Sequence, residues 1–109
     1  MPHLLVRGIT VEQMSRISTP VVDQLAEACS CGRDNFMIDC LPVVSVFDGK
    51  QVDPYPFIEV AWFERGDPIR DRVAAILTEH VHSLGIAEVE VAFRTYREDS
   101  YYINGVRCD

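Results

Sequence analysis

The chain has 109 residues, of which 48 % are hydrophobic and 25 % charged, and its formal net charge is −7. Nucleic-acid binding depends on basic side chains that neutralise phosphates, so this acidic balance argues against a nucleic-acid partner. No segment approaches the roughly 20 apolar residues that span a bilayer. The opening lacks a secretory leader pattern, because Arg7 and Glu12 interrupt its first apolar stretch. We therefore expect a soluble cytoplasmic protein with no membrane partner.

Four cysteines occur in the chain: Cys29, Cys31, Cys40 and Cys108. A chain with an adequate core and no leader pattern is expected to keep them as reduced thiols. Cys29 and Cys31 are separated by one residue, as are His80 and His82, but neither spacing matches a common zinc knuckle. On a helix, residues 80 and 82 would point about 200° apart, so the two rings would not share an ion. We expect no metal and no organic cofactor; a thiol redox protein using Cys29 and Cys31 is one alternative.

Met1 and Pro2 lead directly into a short apolar segment, residues 3–7, which predicts a strand. Removal of Met1 would leave the secondary amine of Pro2 at the start of that strand. An α-amino group has a pKa of about 7.7–8.0 in peptides, and burial or nearby cations lower it. The amine of Pro2 is therefore a candidate general base near neutral pH.

The next segment has strong helix signals. Thr10 and Gln13 have the spacing of a capping box, in which each side chain bonds the backbone N–H of the other residue. Apolar residues then recur at three- and four-residue steps from Val11 to Ala28, which predicts a helix with one apolar face. Pro20 interrupts this stretch. We expect a kink in one helix rather than two helices, because the apolar face continues in phase.

Apolar segments and turn residues alternate in the middle of the chain. The segment from Phe36 to Leu41 predicts a strand, and Pro42 marks a bulge or a strand edge. A further apolar piece covers residues 43–47 before a turn at Asp48-Gly49. Residues 51–56 are expected to form a proline-bearing loop between two halves of the chain.

The second half repeats the order of the first. Residues 57–63 predict a strand, and a helix follows that Asp67 is expected to cap, with Pro68 at the first helical position. Gly85 is expected to end this helix. A last long strand is predicted over residues 88–95.

The two halves have closely matched lengths. Val6 and Ile38 are separated by 32 residues, and so are Val60 and Ala92. Each half therefore reads as a β-α-β unit with parallel strands. Two such units predict an α+β fold in which one four-stranded sheet carries both helices on one face.

The remaining face of this sheet also needs cover. The predicted strands are apolar on both faces, so we expect self-association through the sheets. A chain of this length buries only about 65 % of the surface that its unfolded form exposes, so association would also add stability. Near the end of the chain, Asn104-Gly105 predicts the turn of a short hairpin over residues 99–107.

The proline start, the doubled β-α-β pattern and the final hairpin together resemble the tautomerase superfamily, to which macrophage migration inhibitory factor and 4-oxalocrotonate tautomerase belong. Particular runs resemble, within that fold, the uncharacterised DUF1904 family. These runs are Met1-Pro2-His3-Leu4, Tyr55-Pro56-Phe57-Ile58-Glu59-Val60 with Trp62-Phe63, and Tyr101-Tyr102-Ile103-Asn104-Gly105. The resemblance implies a single domain over residues 1–109, with pseudo-repeats at about 2–47 and 57–95.

The resemblance also implies a homotrimer in which Pro2 lies in a pocket at a subunit boundary. The implied chemistry is proton transfer at a carbon beside a carbonyl group of a small carboxylic acid, with the Pro2 amine as general base. The resemblance therefore implies a tautomerase-like isomerase, or a related decarboxylase or hydratase that acts on a small keto or unsaturated acid. A non-catalytic trimeric binding or assembly protein on the same fold is the alternative, because a common fold does not fix function.

The resemblance suggests particular substrate-binding arginines. Arg65 lies in a turn after the third strand, where relatives hold a substrate-binding arginine. Arg33, just before the second strand, is either a second such cation or part of a solvated loop. Glu90 occupies a position in the last strand where relatives have arginine or tyrosine, and it would repel a dicarboxylate. Either Arg94, on the same predicted face, compensates for this acidic residue, or the substrate differs, or the family activity has been lost.

Two further residues are candidates for the pocket. Glu59 interrupts an apolar strand, where a carboxylate is costly unless it is paired or hydrated. It is either an acid that returns the proton or a residue that lines a solvent channel or bonds across an interface. Phe63 is either a pocket wall or part of the core, as is Trp62, and His3 is expected to be structural.

Overall fold

The computed structural model describes residues 2–109, so the expected removal of Met1 lies outside the described residues. Two helices and eight strands form within that range. In chain order they are β1 (His3–Arg7), α1 (Val11–Cys29), β2 (Met37–Cys40), β3 (Ser45–Phe47), β4 (Lys50–Val52), β5 (Phe57–Trp62), α2 (Asp67–Ser83), β6 (Glu90–Thr95), β7 (Tyr102–Ile103) and β8 (Val106–Arg107).

The central sheet has four strands in the order β2-β1-β5-β6. β1 is parallel to β2, and β5 is parallel to β6, as expected for two β-α-β units. β1 and β5 run antiparallel, with His3 opposite Ala61 and Val6 opposite Ile58. Both helices pack on one face of this mixed sheet, which confirms the predicted α+β fold.

The capping box at the start of α1 is confirmed. The Thr10 hydroxyl oxygen accepts the backbone N–H of Gln13 at 3.1 Å, and the Gln13 side-chain oxygen accepts that of Thr10 at 2.9 Å. The helix continues through Pro20 to Cys29, so one helix rather than two forms here. It ends at Ser30, whose φ of 53° turns the chain in the left-handed region.

The start of α2 differs from the sequence prediction. Gly66 is the capping residue, with a φ of 91°, and Asp67 is already the first helical residue. The predicted cap at Asp67 is wrong because its carboxylate binds the side chain of Arg70 within the helix instead. A glycine precedes it and adopts a backbone conformation that side chains disfavour. Gly85 follows the helix end as predicted, with a φ of 86°.

A small hairpin replaces the beginning of the predicted loop over residues 51–56. Asp48 and Gly49 form the expected turn, with φ values of 52° and 73°. Beyond it, β4 pairs antiparallel with β3, and Phe47 lies opposite Lys50. The loop prediction failed at this point because Lys50–Val52 is short and lacks the alternation that identifies a strand.

The core lies between the sheet and the helices. Leu4, Val6, Ile58, Val60 and Trp62 are at most 1 % exposed, which confirms Trp62 as a core residue. The side chains of β1 and β5 that alternate with them lie on the opposite, open face of the sheet.

The open face is mixed rather than apolar. Its β1 and β5 positions include Leu5 and Phe57 but also Arg7 and Glu59, and Arg94 joins them from β6. The guanidinium of Arg7 lies 4.8 Å above the Phe57 ring. The expectation that the strands are apolar on both faces is therefore wrong for the open face, where charged side chains interrupt the apolar ones.

Candidate functional site

Pro2 lies where four strand ends meet. β1 and β2 begin at this edge of the sheet, and β5 and β6 end there, because each pair is parallel and the two pairs are antiparallel. Pro2 is less than 2 % exposed, and its carbonyl oxygen accepts the backbone N–H of Met37 at 3.4 Å. We call this the proline edge. Any chemistry of a Pro2 amine takes place here.

Arg65 lies at the proline edge, in the turn between β5 and α2. Its Nη1 donates to the carbonyl oxygen of Phe63 at 3.0 Å, and its guanidinium lies 5.2 Å from the centre of the Trp62 ring. Within residues 2–109 it makes no ion pair with a carboxylate. The guanidinium therefore has donors left for an anionic ligand on the helix side of the edge.

The resemblance suggests that Arg33 binds substrate, but in the structure its guanidinium pairs with a carboxylate of the same chain. Arg33 lies in a short 3₁₀ turn before β2, and its Nε is 2.5 Å from a carboxylate oxygen of Asp23 on α1. Both side chains are more than half exposed. This pairing directs Arg33 toward the helix surface.

Arg94 lies on the open face and is also engaged. Its Nε donates to the carboxylate of Glu59 at 3.1 Å, across the neighbouring strands β5 and β6. The Arg94 side chain is 64 % exposed, whereas that of Glu59 is 24 % exposed. Glu90 follows the same alternation on β6 and is exposed. Arg94 therefore pairs with Glu59. Glu90 begins β6 at the opposite end of the sheet from Pro2, so its predicted place in the pocket is wrong.

An aromatic cluster completes the proline edge. The Nε2 atom of His3 is 3.0 Å from the hydroxyl oxygen of Tyr101. The Tyr101 ring meets Phe63 edge-on at 5.1 Å between centroids and lies 5.4 Å from Tyr96. Phe63 is half-buried and so belongs to this cluster, beyond the end of β5. The sequence prediction missed the contact between Tyr101 and His3, because 98 residues separate them.

Two cavities lined by described residues lie away from the proline edge. One of about 560 Å³ lies at the opposite end of the sheet, near Gly8, Leu41 and Asp53. Another of about 220 Å³ lies on the open face between Arg7, Phe57 and their neighbours. Pro2 and Arg65 line neither of these two cavities.

Two cysteine thiols have a raised pKa. Burial raises the pKa of the Cys29 thiol above its ordinary value of 9.0, and the guanidinium of Arg65 opposes that rise. Burial and Asp39 likewise raise the pKa of Cys40. Since thiolates are the reactive form, both groups are poor nucleophiles at neutral pH.

Neither a metal-binding cluster nor a membrane-spanning helix occurs among the described residues. Residues 2–109 contain no group of three or more His, Cys, Asp or Glu side chains placed to hold a metal ion. Over the same range, neither helix is long and apolar enough to cross a membrane.

Comparison with known proteins agrees with the geometry. A family model described as "Domain of unknown function (DUF1904)" matches residues 1–107. The chain belongs to the DUF1904 family. A crystal structure of a DUF1904 domain from Sebaldella termitidis ATCC 33386 is 34 % identical, covers 98 % of this chain and 99 % of that one, and has a TM-score of 0.91.

More distant structures share the fold. A protein of unknown function from Vibrio cholerae O1 biovar eltor str. N16961 is 24 % identical over 97 % of this DUF1904 chain and 86 % of that one, with a TM-score of 0.87. A fused 4-OT wild type asymmetric trimer is 16 % identical over 97 % and 95 % of the two chains, with a TM-score of 0.80. The fold is therefore that of the tautomerase superfamily. No curated protein matches the chain.

Proposed function

We propose that this protein is a tautomerase-like isomerase that moves a proton beside the carbonyl group of a small carboxylic acid. The observation that carries the proposal is the position of Pro2, buried at the head of β1 and sharing one sheet edge with Arg65. Arg65 has no carboxylate partner within residues 2–109 and would hold the acid group of the substrate. The free amine that follows from removal of Met1 is part of the proposal.

The surroundings of Pro2 favour a neutral amine. Burial penalises the charged ammonium form, and a guanidinium nearby penalises it further. Both effects lower the pKa of the amine from the ordinary α-amino range, so that a larger fraction is unprotonated at pH 7. A base of this kind contributes about 10²- to 10⁴-fold to the rate of a proton transfer.

The charges around the edge favour a substrate with one carboxylate. Arg33 and Arg94 are already paired with Asp23 and Glu59. Glu90 begins β6 at the opposite end of the sheet from Pro2, so it adds no charge at the edge. The proposed substrate is therefore a small keto or unsaturated monocarboxylic acid, and phenylpyruvate is a suitable test compound because aromatic rings line the edge.

Self-association is part of the same proposal. The superfamily fold includes a protein described as a fused asymmetric trimer, and a second copy would cover the open face of the sheet. We infer a homotrimer whose subunit boundary encloses Pro2, since neither cavity described above contains that residue. Sedimentation equilibrium at micromolar concentration is expected to give three times the chain mass. A monomer at that concentration would contradict the inference.

The decisive experiment compares two forms of the amine. Intact mass first identifies protein whose first residue is Pro2, and this form is assayed for ketonisation of enol phenylpyruvate. A chain with one additional residue before Pro2 has an amide at that nitrogen but keeps every side chain. We expect its rate to fall by about 10²- to 10⁴-fold. Arg33→Ala is the matched control and should keep full activity, because Arg33 is paired on the surface of α1.

Two outcomes would contradict the proposal, one for the base and one for the activity. Equal activity in the extended chain would place the base elsewhere, and Glu59 would be the next residue to test. No activity in protein that begins at Pro2 would instead favour a non-catalytic binding or assembly protein. The pairing of Arg94 with Glu59 is the observation that favours this second function, because it removes one cation from the ligand.

A further inference from the structure

We propose that Tyr101 is a catalytic residue of this site, donating a hydrogen bond to the substrate oxygen that becomes negatively charged, and that His3 positions it. The inference rests on the proposed function. It starts from the contact between the Tyr101 hydroxyl and Nε2 of His3, 3.0 Å apart. His3 follows Pro2 directly, so this contact lies at the proline edge.

The location of Tyr101 complements that of Arg65. Arg65 lies over the Trp62 ring, which is buried on the helix side of the sheet. His3 lies opposite Ala61 on the alternate, open side, and it brings Tyr101 to that side. A monocarboxylic acid lying across the edge would therefore place its carboxylate on Arg65 and its carbonyl oxygen on Tyr101, with the amine of Pro2 between them.

Tyr101 is fixed by contacts on several sides. Its ring packs edge-on against Phe63 and against Tyr96. Its backbone carbonyl accepts the N–H of Cys108 at 3.0 Å, and its own N–H donates to Glu98 at 3.3 Å. A donor held in place before the reaction costs no reorganisation when charge develops, which is the property that makes oxyanion donors effective.

The hydrogen-bond direction follows from the tautomer of His3. With its proton on Nε2, His3 donates to the Tyr101 oxygen, and the Tyr101 O–H remains available for the substrate. Two hydrogen bonds in sequence polarise each other, which strengthens the terminal donor. In the reaction, the carbon–hydrogen bond breaks, its proton moves to the Pro2 nitrogen, and its electron pair moves toward the carbonyl oxygen. Tyr101 keeps its proton and stabilises that oxygen.

Tyr101→Phe tests the donor, because it removes only the hydroxyl and keeps the ring in the cluster. We expect kcat for phenylpyruvate to fall by about 10²-fold or more, in the range found for single oxyanion donors, with KM changed less than about twofold. The pH dependence assigned to Pro2 should be unchanged. Binding of 3-phenylpropanoate, which has no keto group, should also be unchanged.

The role of His3 is tested with a pair of variants. His3→Gln keeps an N–H donor near the Nε2 position and is expected to keep most of kcat, whereas His3→Leu should lose as much as Tyr101→Phe. If Tyr101→Phe fails to fold, the comparison of the two His3 variants still tests whether the Tyr101 hydroxyl acts as the donor. Unchanged kcat in Tyr101→Phe, or equal kcat in both His3 variants, would overturn the inference while the isomerase stands. Absence of activity in the parent protein would overturn both.

Discussion

Replacement of Arg65 by alanine tests the anion site most directly. Among the described residues only one guanidinium nitrogen of Arg65 is engaged, in the bond to the Phe63 carbonyl, so the rest of the group is available to a carboxylate. Hydrogen bonds to charged groups contribute about 1.5–3 kcal/mol, and Arg65 is partly exposed, so we take the lower half of that range. The expected loss of affinity in Arg65→Ala is therefore roughly 10- to 50-fold.

The assay is titration calorimetry with 3-phenylpropanoate, which has a carboxylate and a ring but is not turned over. Arg65→Lys keeps the positive charge without the bidentate geometry and should give an intermediate affinity. Arg33→Ala should bind as the parent does. Loss of the contact between Arg65 and Trp62 is expected to lower stability by only about 0.5–1 kcal/mol. Thermal denaturation checks that the variant is folded, and equal affinity in a folded Arg65→Ala protein would remove Arg65 from the site.

Three further predictions concern a glycine with a positive φ, a buried thiol and an ion pair on the open face of the sheet. Gly8→Ala should destabilise the protein by at least about 2 kcal/mol, measured by thermal unfolding, because φ is +76° and a Cβ would lie 2.4 Å from a backbone oxygen. Gly49→Ala, where nothing lies within 4 Å, should cost less; equal losses would refute the steric argument. Because the pKa of Cys29 is raised in the fold, its contribution to stability is complete below pH 9 and declines at higher pH. Urea unfolding at pH 8 and 10 should show a smaller decline in Cys29→Ala; an unchanged decline would contradict this. Glu59→Gln should release Arg94 and raise affinity for succinate by about 2- to 5-fold in calorimetry, and unchanged binding would show that Arg94 does not face the ligand.

Local signals made much of the fold predictable. The capping box at Thr10, the turn at Asn104-Gly105 and the equal spacing of the two β-α-β units each depend on residues close in sequence. The structure contains all three. The cap of the second helix was predicted wrongly at Asp67, whose carboxylate binds the side chain of Arg70 three positions later.

The site was only partly predictable, because its contacts join distant parts of the chain. The sequence start predicts Pro2 and the resemblance predicts Arg65 as site residues, and both lie at the proline edge. Which cations are engaged depends on packing: Arg33 meets Asp23, and Arg94 meets Glu59 across neighbouring strands. The contact between His3 and Tyr101 has no local signal at all.

Among the described residues, Arg65 has no carboxylate partner, and this is notable in a chain as acidic as this one. Aspartate and glutamate number 17 against 10 lysines and arginines, so carboxylates are abundant partners for any guanidinium. Arg65 is kept from them by two contacts that carry no negative charge, the Trp62 ring and the Phe63 carbonyl. Both contacts hold the group without neutralising it. In the proposed function, a positive charge held in this way at the proline edge would attract a carboxylate and disfavour the protonated amine, so that one residue would serve binding and base strength together.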